Sequence, residues 1–202
     1  MIDNIGGARP AGPADLHAIA DTLASAFADY PWTRWTVAAD DHPRRLRALQ
    51  LYFTEKVGLP YGRVWTAGDN AAAAVWTTPG IDVPPEVFTG PELAALYGDR
   101  APYAIEAEEF LAPYRPSRPA WFLATIGVRR DMQGRGLGQA VLAPGLAEAD
   151  RTGHDAYLET ADERNVRFYE RFGFETTADV HLPGGGPRTW CMIRRPNTAA
   201  PR

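Results

Sequence analysis

Apolar residues recur at helical spacing at Leu16, Ile19, Ala20, Leu23 and Phe27, predicting an amphipathic helix that ends near Asp29-Tyr30-Pro31, with Pro31 as its stop. A second helix is expected from Pro43, with Leu46, Leu49, Phe53 and Val57 on one face and Gly58 and Pro60 at its end. The period then shortens. Arg63 to Ala67 and Ala71 to Thr77 are β-compatible runs around Gly68-Asp69-Asn70, the pattern of a hairpin. Prolines from Pro79 to Pro119 break the next stretch into short helices, expected at Pro91 to Tyr97 and Ala104 to Leu111. Leu93, Leu96, Ile105, Phe110 and Leu111 carry too much apolar surface for a solvated tether, so this stretch reads as a cover over a sheet.

Trp121 to Val128 is an apolar, aromatic and β-branched run without proline, the best candidate for a central strand. A helix is expected from Gly136, loosened or kinked at Pro144-Gly145 before Arg151. Ala156 to Thr160 reads as a short strand. Asn165 to Phe172 reads as a helix, with Asn165 as candidate N-cap and Gly173 as its closing glycine. Glu175 to Leu182 and Arg188 to Ile193 form a last hairpin around Pro183-Gly184-Gly185-Gly186-Pro187. The glycines and prolines before Pro13 predict a flexible N-terminus over 1–12, with at most a short strand near Ala8-Arg9, then one domain over 13–196 and a flexible tail over 197–202.

Composition narrows the function. With 202 residues and 45% hydrophobic content a sizeable core is available, and a net charge of -4 gives no broad reason to expect nucleic acid or an anionic membrane as partner. The expected ligand is a small molecule. Cys191 is the only cysteine, which excludes an intrachain disulfide and a multi-cysteine metal site and makes a reducing cytoplasm the simplest compartment. His17, His42, His154 and His181 lack metal-ligand spacing, so no metal is expected. No apolar run approaches the roughly 20 residues that span a bilayer, and no targeting segment is read at the N-terminus.

The chemistry gathers after the central strand, at Gln133-Gly134-Arg135-Gly136-Leu137-Gly138-Gln139. Glycines at a strand-to-helix turn let backbone N-H groups crowd around a phosphate oxygen, with the helix dipole aimed at the same place. A Walker loop needs Gly-Lys-Ser or Gly-Lys-Thr, and a dinucleotide fingerprint needs Gly-x-Gly-x-x-Gly; neither fits. Gln133, Gly136 and Gly138 instead match the Gln/Arg-x-x-Gly-x-Gly/Ala pattern of the GNAT superfamily of acetyl-CoA-dependent N-acetyltransferases. Asn165-Val166-Arg167-Phe168-Tyr169-Glu170-Arg171-Phe172-Gly173-Phe174 resembles that superfamily's second motif, and the order of elements is similar to its fold. The segments Ala26 to Pro31, Val75 to Pro79, Ala120 to Thr125 and Gly186 to Met192 further resemble its aminonucleoside acetyltransferases, those that acetylate puromycin in antibiotic resistance.

That resemblance implies an α/β fold with a mixed central sheet of six or seven strands, splayed where acetyl-CoA enters and flanked by helices. It implies coenzyme contacts from Ile126, Gly127, Val128, the loop 133–139 and Asn165, and oxyanion-type help from the N-H groups of Ile126 and Val128. Tyr169, one helical turn after Asn165, falls at the family's acid position, and a phenol with a reference pKa near 10 can give the leaving thiolate a proton. Glu159 is the candidate base, directly or through water, with Asp29 as the other carboxylate beside the implied acceptor site. Tyr30, Trp32, Trp35, Trp76 and Trp121 offer π faces to an aminoacyl nucleoside, and Trp76 and Trp121 suit a core equally well. The alternatives are the same transfer to an amino acid, dipeptide or other small amine, suggested by the indoles at Trp32 and Trp35, and a non-catalytic acetyl-CoA-binding regulatory module.

Overall fold

The computed structural model describes residues 7–197. The expectations for 1–6 and 198–202 lie outside the described residues. In chain order the elements are β1 (Arg9–Pro10), α1 (Leu16–Phe27), α2 (Pro31–Thr36), α3 (His42–Phe53), a π-helical turn (Thr54–Gly58), α4 (Leu59–Tyr61), β2 (Gly62–Ala67) and β3 (Ala72–Thr77). The cover supplies α5 (Glu86–Thr89), α6 (Pro91–Tyr97) and α7 (Ala101–Leu111); then follow β4 (Trp121–Val128), α8 (Leu137–Thr152), β5 (Ala156–Thr160), α9 (Glu163–Glu170), β6 (Glu175–His181) and β7 (Arg188–Arg194). The strands form one seven-stranded sheet in the order β1-β2-β3-β4-β5-β7-β6. Every neighbouring pair is antiparallel except β4 and β5, which are parallel and joined through α8. This is the GNAT fold that the chain's motifs imply.

Four local expectations change. Pro31 does not merely stop α1; it opens α2, with Tyr30 extended at the cap, because a residue without an N-H suits the first position of a helix. The second helix continues past Gly58 as the π turn and α4, where Pro60 again occupies a first turn. Residue Asp162, not Asn165, caps α9: its carboxylate accepts from the Arg164 N-H at 2.9 Å, so the helix starts two residues earlier. At Pro144-Gly145, α8 is continuous, and Gly145 has another cause. A Cβ there would come within 2.4 Å of the Trp76 indole, so the glycine lets α8 settle onto the sheet.

The two faces of the sheet are filled differently. Under α8 and α9 lies one continuous core that contains Trp65, Trp76, Trp121, Leu142, Leu158, Tyr169 and Met192. On the opposite face the apolar residues divide. One group lies under α1, with Ile19, Leu23, Val64 and Val75; another lies under α2 and α7, with Trp35, Leu111, Tyr157 and Cys191. Strand β4 runs between these two groups.

Candidate active site

The strand pair at the centre comes apart. Strands β4 and β5 pair only at Trp121 with Ala156, Phe122 with Tyr157 and Leu123 with Leu158, and beyond Leu123 they diverge. A bulge in the β3–β4 ladder helps: Val75 pairs with Thr125 and Trp76 with Leu123, leaving Ala124 as the extra residue. Ala124 is exposed although it lies in the middle of a seven-stranded sheet.

Which backbone groups face the opening follows from alternation along the strand. The Arg129 N-H bonds to the Ala71 carbonyl toward β3, so Gly127 is directed the same way, while Ile126 and Val128 turn their N-H and C=O groups toward the splay. Consistent with this, the Val128 carbonyl accepts from the Gln133 side-chain amide at 3.3 Å, not from β5. Gly127 has a packing reason instead: a Cβ there would sit 2.8 Å from the Ala26 methyl group of α1.

At the open end of β4 lies the glycine loop. Gly134 and Gly136 take φ values of 76° and 80°, a left-handed conformation that strains other residues, and Gly136 is the N-cap of α8. The N-H groups of Gly134, Arg135 and Gly136 have no backbone partner, and those of Leu137, Gly138 and Gln139 belong to the first helical turn, whose donors lack intrahelical acceptors. Arg135 and Gln139 are exposed beside them. This cluster of free donors at a helix N-terminus fits a pyrophosphate, and the splay beside it fits an extended chain that pairs with β4.

At the end of β5 the Tyr30 and Thr160 hydroxyls meet, with Tyr169 buried nearby. The buried Tyr169 phenol packs with Phe168 and Phe174, and burial, with Tyr30 nearby, pushes its pKa up. Its proton is therefore held throughout the neutral range. The Tyr30 hydroxyl accepts from the Ala161 N-H at 2.5 Å and lies 3.0 Å from Thr160 Oγ1, which also accepts from the Asn165 amide at 3.2 Å. Tyr30 and Asn165 are thus drawn together at Thr160, and the Tyr30 hydroxyl pins the turn between α1 and α2 to the end of β5.

Glu159 stands one residue beyond the last β4–β5 pair, level with Ala124. Arg115 clamps it, Nε to Oε1 at 2.8 Å and Nη2 to Oε2 at 3.2 Å, while the Tyr157 hydroxyl donates to Oε1 at 3.0 Å. Arg115 also reaches Glu108 of α7 at 2.9 Å and lies over the Phe122 ring. Burial works against the charged guanidinium, but its bonds to the two carboxylates outweigh that and push its pKa up. Sequence reasoning missed Arg115, Glu108 and Tyr157; only the Phe122–Tyr157 register and the return of the cover bring them to Glu159.

Other candidates move away from the opening. Trp76 is 0% and Trp121 4% exposed, both within the continuous core, and the Trp121 indole donates to Thr152 Oγ1; neither offers a face to an acceptor, which corrects their assignment as substrate contacts. Asp29 is exposed and paired with Arg34 at 2.9 Å and Arg130 at 2.6 Å, which hold its pKa down at about 2. It works as a surface tie between the α1 turn and the segment after β4. Trp32 remains half-buried against the group under α2 and α7, edge-on to buried Trp35. Among the described residues no group of three or more His, Cys, Asp or Glu could hold a metal, and no helix is long and apolar enough to cross a membrane.

Comparison with known proteins agrees with this geometry. Residues 99–174 match the model of the acetyltransferase (GNAT) family. A crystal structure described as histone acetyltransferase HPA2 and related acetyltransferase, from Corynebacterium glutamicum, superposes with a TM-score of 0.75 at 28% identity, covering 96% of this chain and 97% of that one. The polyamine N-acetyltransferase of Drosophila melanogaster, which forms N-acetylagmatine, shares the fold with a TM-score of 0.61 at 17% identity, covering 93% and 98%. Mycothiol acetyltransferase of Propionibacterium freudenreichii is 38% identical over 64 residues, 30% of this chain and only 20% of that protein's length. Together these matches place the acetyltransferase (GNAT) family model on residues 99–174 and the GNAT fold on nearly the whole chain.

Proposed function

We propose that this GNAT-superfamily chain, acting through one domain over 13–196, transfers the acetyl group of acetyl-CoA directly to the amino group of a small-molecule amine. The observation that carries the reading is the splay: a central strand with unpaired backbone groups at Ile126 and Val128, ending in a glycine loop of free donors. Acetyl-CoA supplies the activated thioester. Ile126 and Val128 offer it a strand edge, the N-H groups of 134–139 take the pyrophosphate, and Asn165 holds the end of β5 beside it. Tyr169 keeps a proton for the departing thiolate. Glu159 receives the incoming ammonium: three bonds already occupy its oxygens, leaving room for one more, mainly at Oε2. A carboxylate so clamped orients the amine and passes its proton to water.

The acceptor we favour is the α-amino group of an aminoacyl nucleoside such as puromycin, on the resemblance of the segment around Asp29-Tyr30-Pro31 and the half-buried Trp32 beside the divided face. The segments around Trp76, Trp121 and Trp190 are largely core, so they argue for the scaffold more than for the nucleoside. Another small amine, an amino acid or a dipeptide is the second reading, and it is favoured by the same observation: fewer aromatic faces remain open than the sequence offers. The cytoplasm, with its acetyl-CoA, is the compartment we assign.

The test is coenzyme A release measured over puromycin, amino acid amides and dipeptides. Highest kcat/KM for puromycin supports the aminonucleoside reading; a smaller amine that outcompetes it moves the assignment to that amine. Acetyl-CoA binding without thioester consumption by any amine would point to the regulatory module.

A further inference from the structure

The acceptor side of the splay is walled by an ion cluster in which one guanidinium faces two carboxylates. Arg115 is shared between Glu159 on β5 and Glu108 on α7, and among the described residues no second cation is paired with either; the nearby Tyr97, Tyr157 and Cys191 are uncharged groups whose pKa values burial pushes up. One negative charge is left uncompensated. Its setting magnifies it, since Glu159 has a side chain only 10% exposed, Arg115 lies over the Phe122 ring, and the wall behind is the apolar group of Leu111, Tyr157 and Cys191. A charge flanked by low-dielectric walls projects its field into the opening it borders, and that opening is the exposed stretch at Ala124.

We propose that the Arg115–Glu108–Glu159 cluster sets the acceptor class: the site takes amines whose surroundings are neutral or cationic and rejects those that carry a carboxylate beside the amine. This inference rests on the transfer reaction proposed above and deepens it. The acceptor amine delivered to Glu159 brings its α-substituent within a few ångström of the cluster. An α-carboxylate there meets the surplus charge and finds Arg115 already engaged by two partners. A carboxamide or a hydrogen meets no such penalty. Glu108 is the adjustable member, as its side chain is 58% exposed and tolerates change better than the buried Glu159.

Tyramine, tyrosinamide and tyrosine share a ring and an amine and differ at the α-position only. Their kcat/KM values are measured by coenzyme A release, and each is also titrated calorimetrically into the protein loaded with coenzyme A. Tyrosine is expected to fall below the other two by roughly tenfold or more in both readouts, with the gap shrinking as salt is raised. Glu108→Gln should narrow the gap, and Glu108→Lys should close or invert it. Arg115→Gln should widen it if that variant folds; the Glu108 pair keeps the test decisive if it does not. Equal affinity for the three amines, or a gap indifferent to Glu108→Lys, overturns the charge preference. Turnover of none of the amines counts separately against the transfer reaction, and so does failure to bind acetyl-CoA, in which case the amines titrated into the protein alone still score the preference.

Discussion

The two faces of the central sheet contain similar residue types and serve opposite ends. Under α8 and α9 the indoles of Trp65, Trp76 and Trp121 lie in one unbroken core, so closely that α8 needs a glycine at 145 to admit Trp76. On the other face Trp32 and Trp35 belong to one apolar group, α1 covers another, and the bulged Ala124 between them is exposed. The same side chain therefore means different things on the two sides. An indole on the continuous face contributes packing alone; on the divided face Trp32 stays half-buried, beside the opening proposed for the acceptor.

The widest separation between the faces is expected from a matched pair of truncations. Trp76→Ala should lower unfolding free energy by about 3 to 5 kcal/mol, the usual cost of emptying a large aromatic site. Trp32→Ala, half-buried, should cost far less stability and instead alter the order of amines in kcat/KM. Chemical denaturation beside the amine panel checks both; a stable Trp76→Ala protein with altered acceptor preference would erase the contrast.

Tyr169 is next, because it belongs to the continuous core and yet lies close enough to Tyr30 for that phenol to help raise its pKa. Tyr169→Phe keeps the ring packing and removes the proton donor, so kcat should drop by roughly 10²- to 10⁴-fold. Denaturation midpoints should stay near the parent value. The direction of its pKa fixes the pH behaviour. A phenol raised above its ordinary range stays protonated as pH climbs toward 10, so the parent enzyme should show no alkaline loss from this group below that point. An alkaline limb near neutrality that vanishes in Tyr169→Phe would contradict the burial-driven direction.

The smallest effect is expected where the continuous face meets the opening, at Gly136. A Cβ there meets nothing within 4 Å, so the constraint is the φ of 80°. Gly136→Val carries about 1 to 3 kcal/mol of backbone strain and should weaken acetyl-CoA binding by calorimetry, with the fold retained. Unchanged affinity in a folded variant would remove the loop from the coenzyme site.

Much of this was legible in local sequence. The glycine loop could be read because its requirement is local: positive φ at 134 and 136, directly after an apolar strand, leaves few residues but glycine. The run from Trp121 to Val128 and the hairpin around residues 68–70 were legible for the same reason. Some local signals were present but outweighed: Pro31 could start a helix as well as stop one, and Asp162 with Glu163 after it is a cap signature. What could not be read was partnership at a distance. Glu159 looks like an open strand-end acid until Arg115, 44 residues earlier in a proline-rich segment, is placed against it. Trp76 looks like a ligand platform until α8 closes over it.

The short seam between β4 and β5 has a meaning for the order in which the chain assembles. The hairpins β2–β3 and β6–β7 close through tight turns, whereas the three seam pairs need α8 to have crossed the sheet first. The two hairpins are therefore the local ladders, and the seam is joined at long sequence separation, as are the β3–β4 and β5–β7 ladders that flank it. The seam is only three rungs long, and the opening proposed for acetyl-CoA is what remains when that join stops zipping at Leu123 and Leu158.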